Sequence, residues 1–147
     1  MSKFTFSATD MHGLPVEAKQ AVMDALWTVY AAETRPSVPE VEAFQTQVAT
    51  LPWGMKPEEL QGLLAAAEAK LAATIAVRGQ DTVRDYIDRI ADRIPSSGVR
   101  EKTLCAIHRL IPEDKLAESA TLAAFCEAFG IQPRRAEEIA AEARGKA

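Results

Sequence analysis

Both cysteines and one of the two histidines fall within residues 104–130, LCAIHRLIPEDKLAESATLAAFCEAFG. Cys105 and His108 are three apart, which places them on one face of a helix, with Glu101 one turn upstream of Cys105. A thiol next to an imidazole base is an arrangement for nucleophilic chemistry, and Cys126 supplies the second thiol that disulfide exchange needs. As zinc ligands, Cys105, His108 and Cys126 make three, with His12 unplaced and no finger-like spacing. The plainer expectation is a buried cysteine acting as a small hydrophobe and a partly buried histidine beside Leu104 and Ile107.

Other catalytic patterns are missing from the sequence: no Gly-rich phosphate loop, no Ser-His-Asp ordering, no Glu-x-x-His pair. Trp27 and Trp53 could mark a groove, but aromatics at helical spacing or helix ends are expected to pack. Arg134 and Arg135 open a helix, where a cation opposes the dipole, so either solvation or an acidic partner is expected there.

The elements that must position these residues are helices. Residues 1–14 read as an N-terminal arm in which Phe4 and Phe6 alternate with polar residues, and residues 15–147 read as a single domain. Pro15 suits a first helical turn, and Val22, Leu26, Val29 and Tyr30 form an apolar stripe over 16–33. Ser37 with Glu40 is a capping-box spacing that starts a second helix through Val41, Phe44, Val48 and Leu51. A third, alanine-rich helix spans 57–78, with Glu58 and Glu59 at its positive end, up to Gly79. A fourth is expected over 81–94, followed by a turn at 95–98, and a fifth over 99–111. After an acidic break at 111–114, a sixth helix is expected over 116–129, stopped by Gly130 in the left-handed conformation. Pro133 begins the last. No segment alternates with period two, so the expected fold class is all-α with seven helices.

Length and composition agree with that reading. A chain of 147 residues, 48% hydrophobic and 26% charged, is long enough to bury a core without staples. A net charge of −4 argues against a general nucleic-acid binder. Two cysteines are too few for a disulfide framework, which points to a reducing, cytoplasmic setting. The opening stretch carries Asp10 and Glu17 and no apolar run, so no signal peptide is expected. The most apolar run, 63–77, is too short and too charged to span a bilayer.

The two ends of the chain repeat one layout: helix, acidic loop, helix, Gly-turn, Pro-started helix. One unit closes on Gly54 to Pro57 and the other on Gly130 to Pro133, the latter within the wording Leu122-Ala-x-x-Phe…Gly130-Ile131-x-Pro133. With one helix between the units, residues 16–143 resemble the tellurite-resistance TerB-like family, an all-α fold of two pseudo-repeated helix–loop–helix units. The resemblance implies carboxylates in each loop that bind a metal ion. Here they are Glu33 and Glu40 in the first unit and Glu113, Asp114 and Glu118 in the second, and Ca²⁺ or Mg²⁺ is the cation such oxygens take. Neither loop has the glycine of the family's Ala-Asp-Gly wording, which lets a loop fold tightly around a hard cation. The expectation is therefore a TerB-like scaffold whose metal site is degenerate, with these carboxylates serving as capping and first-turn residues and no cofactor held.

Separately, Glu101-x₃-Cys105-x₂-His108 resembles the centre of the AhpD-like alkyl-hydroperoxidases, with His108 in the place of that centre's second cysteine. Three functions follow as expectations. The first is a non-enzymatic cytoplasmic interaction or sensing module, in a stress-response or membrane-associated complex as the TerB resemblance implies, with a protein partner and with homodimerisation left open. A divalent-cation binder is the second. The third is a thiol-dependent peroxidase or oxidoreductase in which Cys105 attacks, His108 is the base and Cys126 resolves.

Overall fold

The computed structural model describes residues 16–34, 37–49, 56–78 and 80–145. The Phe4/Phe6 arm, His12, Pro15, Leu51, Trp53, Gly54 and Gly79 lie outside the described residues. The fold is all-α. Among the described residues the helices are α1 (Val16–Thr34), α2 (Val38–Ala49), α3 (Pro57–Arg78), α4 (Gln80–Asp92), α5 (Ser97–Leu110), α6 (Ala120–Phe129) and α7 (Pro133–Ala143). A 3-10 helix, Glu113–Glu118, joins α5 to α6. No described helix is long and apolar enough to cross a membrane.

Helix α1 is the axis of the fold. It touches α3, α4, α5 and α6, and every residue from Ala21 through Val29 is buried. A helix with neighbours on all sides has no wet face, so its apolar residues run around it instead of forming one stripe. The two polar residues of this run are Asp24 and Thr28. Thr28 disposes of its hydroxyl locally, donating to the Asp24 carbonyl at 2.6 Å. Asp24 has no such outlet for its carboxylate.

Helix α2 is entered from Ser37, where Ser37 and Glu40 meet side chain to side chain and not through the backbone N–H bonds of a capping box. The Ser37 hydroxyl donates to Glu40 Oε1 at 3.2 Å, and the Val41 N–H donates to the Ser37 carbonyl at 3.0 Å. Phe44 and Val48 are its buried positions. Phe44 stacks on Tyr30 with ring centroids 4.2 Å apart and meets Trp27 edge-on at 5.4 Å, so Trp27 is a core aromatic. Helix α3 buries a stripe of Leu60, Leu64, Ala67 and Leu71 against α1.

Three boundaries differ from the sequence expectations, two of them through serine caps. Helix α5 begins at Ser97, where a turn was expected, because the Ser96 hydroxyl accepts the Val99 N–H. Helix α6 begins at Ala120, not Leu116. The Ser119 hydroxyl accepts the Leu122 N–H at 3.0 Å, and the residues before it wind into the 3-10 helix. Helix α4 stops at Asp92, two residues early.

The far end of α6 is as expected. Gly130 has φ 70°, its N–H reaches the Glu127 carbonyl at 3.1 Å, and the Ile131 N–H reaches the Cys126 carbonyl at 3.1 Å. This pair of bonds is the Schellman stop, and Pro133 then opens α7 at its first turn.

Arg100, on α5, ties these ends together. Its guanidinium donates to the Ala91 carbonyl (2.8 Å), the Ile94 carbonyl and the Phe129 carbonyl (3.2 Å), and its Cζ lies 5.9 Å from the centre of the Phe129 ring. One side chain thus serves carbonyls at the C-terminal ends of both α4 and α6.

Candidate functional site

The cysteine and histidine cluster is packed into the interior. Cys105 is 2% exposed and His108 7% exposed, on the part of α5 that is buried continuously from Thr103 through His108. Burial pushes the Cys105 thiol up, against the pull of Arg109 and with a further push from Glu142. Burial also pushes up the Cys126 thiol, on half-buried α6 surface. For His108, burial and the nearby Arg144 cation lower the imidazole to about 4. Its Nδ1 has no hydrogen-bond partner, and the buried imidazole is neutral at neutral pH. Arg144 holds the C-terminal end of α5 from the last turn of the fold, donating to the carbonyls of His108 (2.7 Å) and Ile111 (2.6 Å). Neither thiol is in a disulfide.

The acidic residues are distributed over two places. The 3-10 helix lies against the end of α1: the Ser119 hydroxyl donates to the Glu33 carboxylate, and Lys115 Nζ donates to the Glu33 carbonyl at 3.1 Å. Glu113, Asp114 and Glu118 stand exposed on that 3-10 helix. Glu40 instead faces Ser37 in the α2 cap, and its carbonyl accepts from the Tyr30 hydroxyl at 2.8 Å. The structure therefore brings Glu33 to the second loop, with a lysine beside it. Among the described residues no three His, Cys, Asp or Glu side chains gather where they could hold one metal ion. Arg135 finds carboxylates within the chain, Glu101 at 3.0 Å and Glu138 at 3.4 Å, which accounts for a cation at the start of α7.

A third cluster was not anticipated. The Asp24 side chain has no exposed surface, and neither of its oxygens accepts a hydrogen bond. Two cations reach toward it from the surface: Arg93 at 3.7 Å and Lys70 at 4.0 Å, each a little over two-fifths exposed. The Tyr86 hydroxyl, also buried, is the remaining polar neighbour and favours the ionised carboxylate. Burial raises the Asp24 carboxyl above its ordinary value, and Lys70, Tyr86 and Arg93 draw it back down. Burial and the adjacent carboxylate both push the Tyr86 phenol upward. Outside this cluster, between α3 and α4, opens a cavity of about 320 Å³ lined by Lys70, Thr74, Tyr86, Arg89 and Arg93 together with Ala73 and Ile90. A larger hollow of about 500 Å³ between α2 and α3 is faced by Glu42, Gln45, Thr46, Glu58 and Gln61, with no cation in its lining.

One sequence signal could have found Asp24: it is the only charged residue in the run Ala21 to Tyr30, AVMDALWTVY. A carboxylate centred in an apolar run either faces water on an amphipathic helix or is buried with a purpose. Compared with protein-family models, curated proteins and solved structures, the chain matches none.

Proposed function

We propose that the chain is a non-enzymatic interaction or sensing module of the cytoplasm, built as a TerB-like arrangement of two related helix–loop–helix units around α4. The observation that carries the non-enzymatic reading is the burial of Cys105 and His108. A nucleophilic cysteine needs an accessible, low-pKa thiolate, and a base needs a pKa near the working pH. Cys105 and His108 depart from both conditions, in opposite directions. The layout α1, loop, α2 against α5, 3-10 helix, α6 supports the repeat, and Gly130 with Pro133 supports its ending. A protein partner is the expected ligand of the module, and the net negative charge favours such a partner over nucleic acid.

Reaction of the native protein with a thiol reagent, alongside a peroxide-consumption assay with a dithiol reductant, tests this reading. Cys105 should react only as fast as the protein opens, and peroxide consumption should stay at the reagent background. Fast modification of native Cys105 with turnover lost in Cys105→Ser would overturn it in favour of the thiol enzyme. The divalent-cation reading rests on the approach of Glu33 to the 3-10 helix. A melting midpoint raised by Ca²⁺ or Mg²⁺ over EDTA, and restored to baseline by Glu113→Gln with Asp114→Asn, would establish it.

A further inference from the structure

The geometry points to a binding site for a small soluble oxyanion of the phosphate class in the cavity between α3 and α4, held by Lys70, Arg89 and Arg93. The site holds for an enzyme and a binding module alike, so it is independent of the reading above. Its two walls come from neighbouring helices: Lys70 and Thr74 lie one turn apart on α3, Tyr86 and Arg89 lie one turn apart on α4, and Arg93 follows in the turn just past the end of α4. The cavity of about 320 Å³ admits a phosphate group with a small organic substituent. Three cationic side chains line it and no carboxylate does.

What gathers the cations is beneath the floor. Asp24 is wholly buried, its oxygens accept no hydrogen bond, and its field draws the heads of Arg93 and Lys70 toward one point. At 3.7 and 4.0 Å neither contact is a hydrogen bond, so the N–H groups of both heads remain available to a ligand. Arg89 has no ion-pair partner among the described residues.

Three cations line the cavity and the only nearby carboxylate is the buried Asp24, so the lining is net positive, the complement of a phosphate dianion. The guanidinium forks of Arg89 and Arg93 suit tetrahedral oxygens, which accept paired N–H donors. The Thr74 hydroxyl, anchored on the Lys70 carbonyl at 2.8 Å, adds a neutral polar contact. A metal ion is the wrong occupant, because the one buried carboxylate lies behind the cations.

Titration calorimetry of the full chain with inorganic phosphate and with glycerol 3-phosphate, at constant ionic strength set by chloride, tests the site. Saturable one-to-one binding is expected, weakened about tenfold or more by Arg89→Gln, the loss of one charged hydrogen-bonding partner. Arg89 is exposed and makes no contact with Asp24, so this variant should keep the wild-type circular dichroism and melting midpoint. Arg134→Gln, removing an exposed cation of α7, should leave the affinity unchanged. Three results would overturn the site: no saturation above the chloride background, equal weakening by Arg89→Gln and Arg134→Gln, or binding to phosphatidate vesicles without binding to either soluble ligand.

Discussion

The Asp24 carboxylate and the Arg93 guanidinium stand 3.7 Å apart where α1 passes the turn that follows α4, the one with no exposed side-chain surface and the other 43% exposed. They form an ion pair with unequal solvation: the anion has lost its water, and the cation has kept much of its own. Desolvating a carboxylate costs several kcal/mol, and cations at 3.7 and 4.0 Å return only part of that. The raised carboxyl of Asp24 expresses the same imbalance.

Asp24→Asn should therefore stabilise the fold at neutral pH, by about 1 kcal/mol. The asparagine keeps the shape and removes the buried charge, while Lys70 and Arg93 retain water. The sign with pH follows from the raised carboxyl. A group that holds its proton more tightly in the folded state favours folding below the unfolded value, 3.8, and loses that advantage as pH rises through the folded value. The advantage of Asp24→Asn should accordingly shrink as pH is lowered toward 4. Urea unfolding at a series of pH values measures both effects. A variant several kcal/mol less stable at pH 7 would show that the pair is a net stabilising contact.

A second prediction concerns Arg100, whose guanidinium serves three carbonyls at the ends of α4 and α6. Hydrogen bonds from a charged donor are worth about 1.5–3 kcal/mol each when buried, and less at a half-buried site such as this one. Arg100→Ala should cost roughly 2–4 kcal/mol in total, since it also strips the packing over Phe129. Arg100→Lys should recover less than half of the loss, because an ammonium cannot fork between carbonyls on two helices. If the lysine variant matches wild type in chemical denaturation, charge alone and not geometry accounts for the contact.

Much of this architecture was legible locally. Ser37 and Glu40 pair at the start of α2, Gly130 takes the left-handed conformation, and Pro133 opens the last helix. These signals work because cap and stop chemistry is decided by a few neighbouring residues. Ser119 was hidden for a related reason: it sits between Leu116 and Leu122, whose apolar spacing suggests one continuous helix, and its cap outweighs that spacing. Asp24 was hidden for a different reason. The stripe of Val22, Leu26, Val29 and Tyr30 predicts one buried face and leaves Asp24 on the wet side. Only the enclosure of α1 by four helices buries the rest of its circumference. That enclosure also recruits Lys70 and Arg93, 46 and 69 residues further along (70 − 24 and 93 − 24), from elements that carry no local mark of the association.

His108 supplies the third prediction, on the acid side of the stability curve. Burial and Arg144 lower its imidazole to about 4, against 6.5 for the free group. Between those values the unfolded chain takes up a proton that the folded chain refuses, so stability falls as pH drops from 6.5 to 4. The full loss from this one group is roughly 3 kcal/mol, the free-energy equivalent of the difference between the two values. His108→Leu removes the titrating group from a buried site where its Nδ1 is without a hydrogen-bond partner. The variant should unfold with a pH dependence shallower by about one proton across that window, while the wild-type and variant curves run parallel above pH 7. Asp24 acts with the opposite sign and is common to both proteins, so the difference between them isolates His108. Parallel curves through pH 4–6.5 would mean that the folded chain protonates His108 as readily as the unfolded one, which requires the α5–α7 interface to admit water.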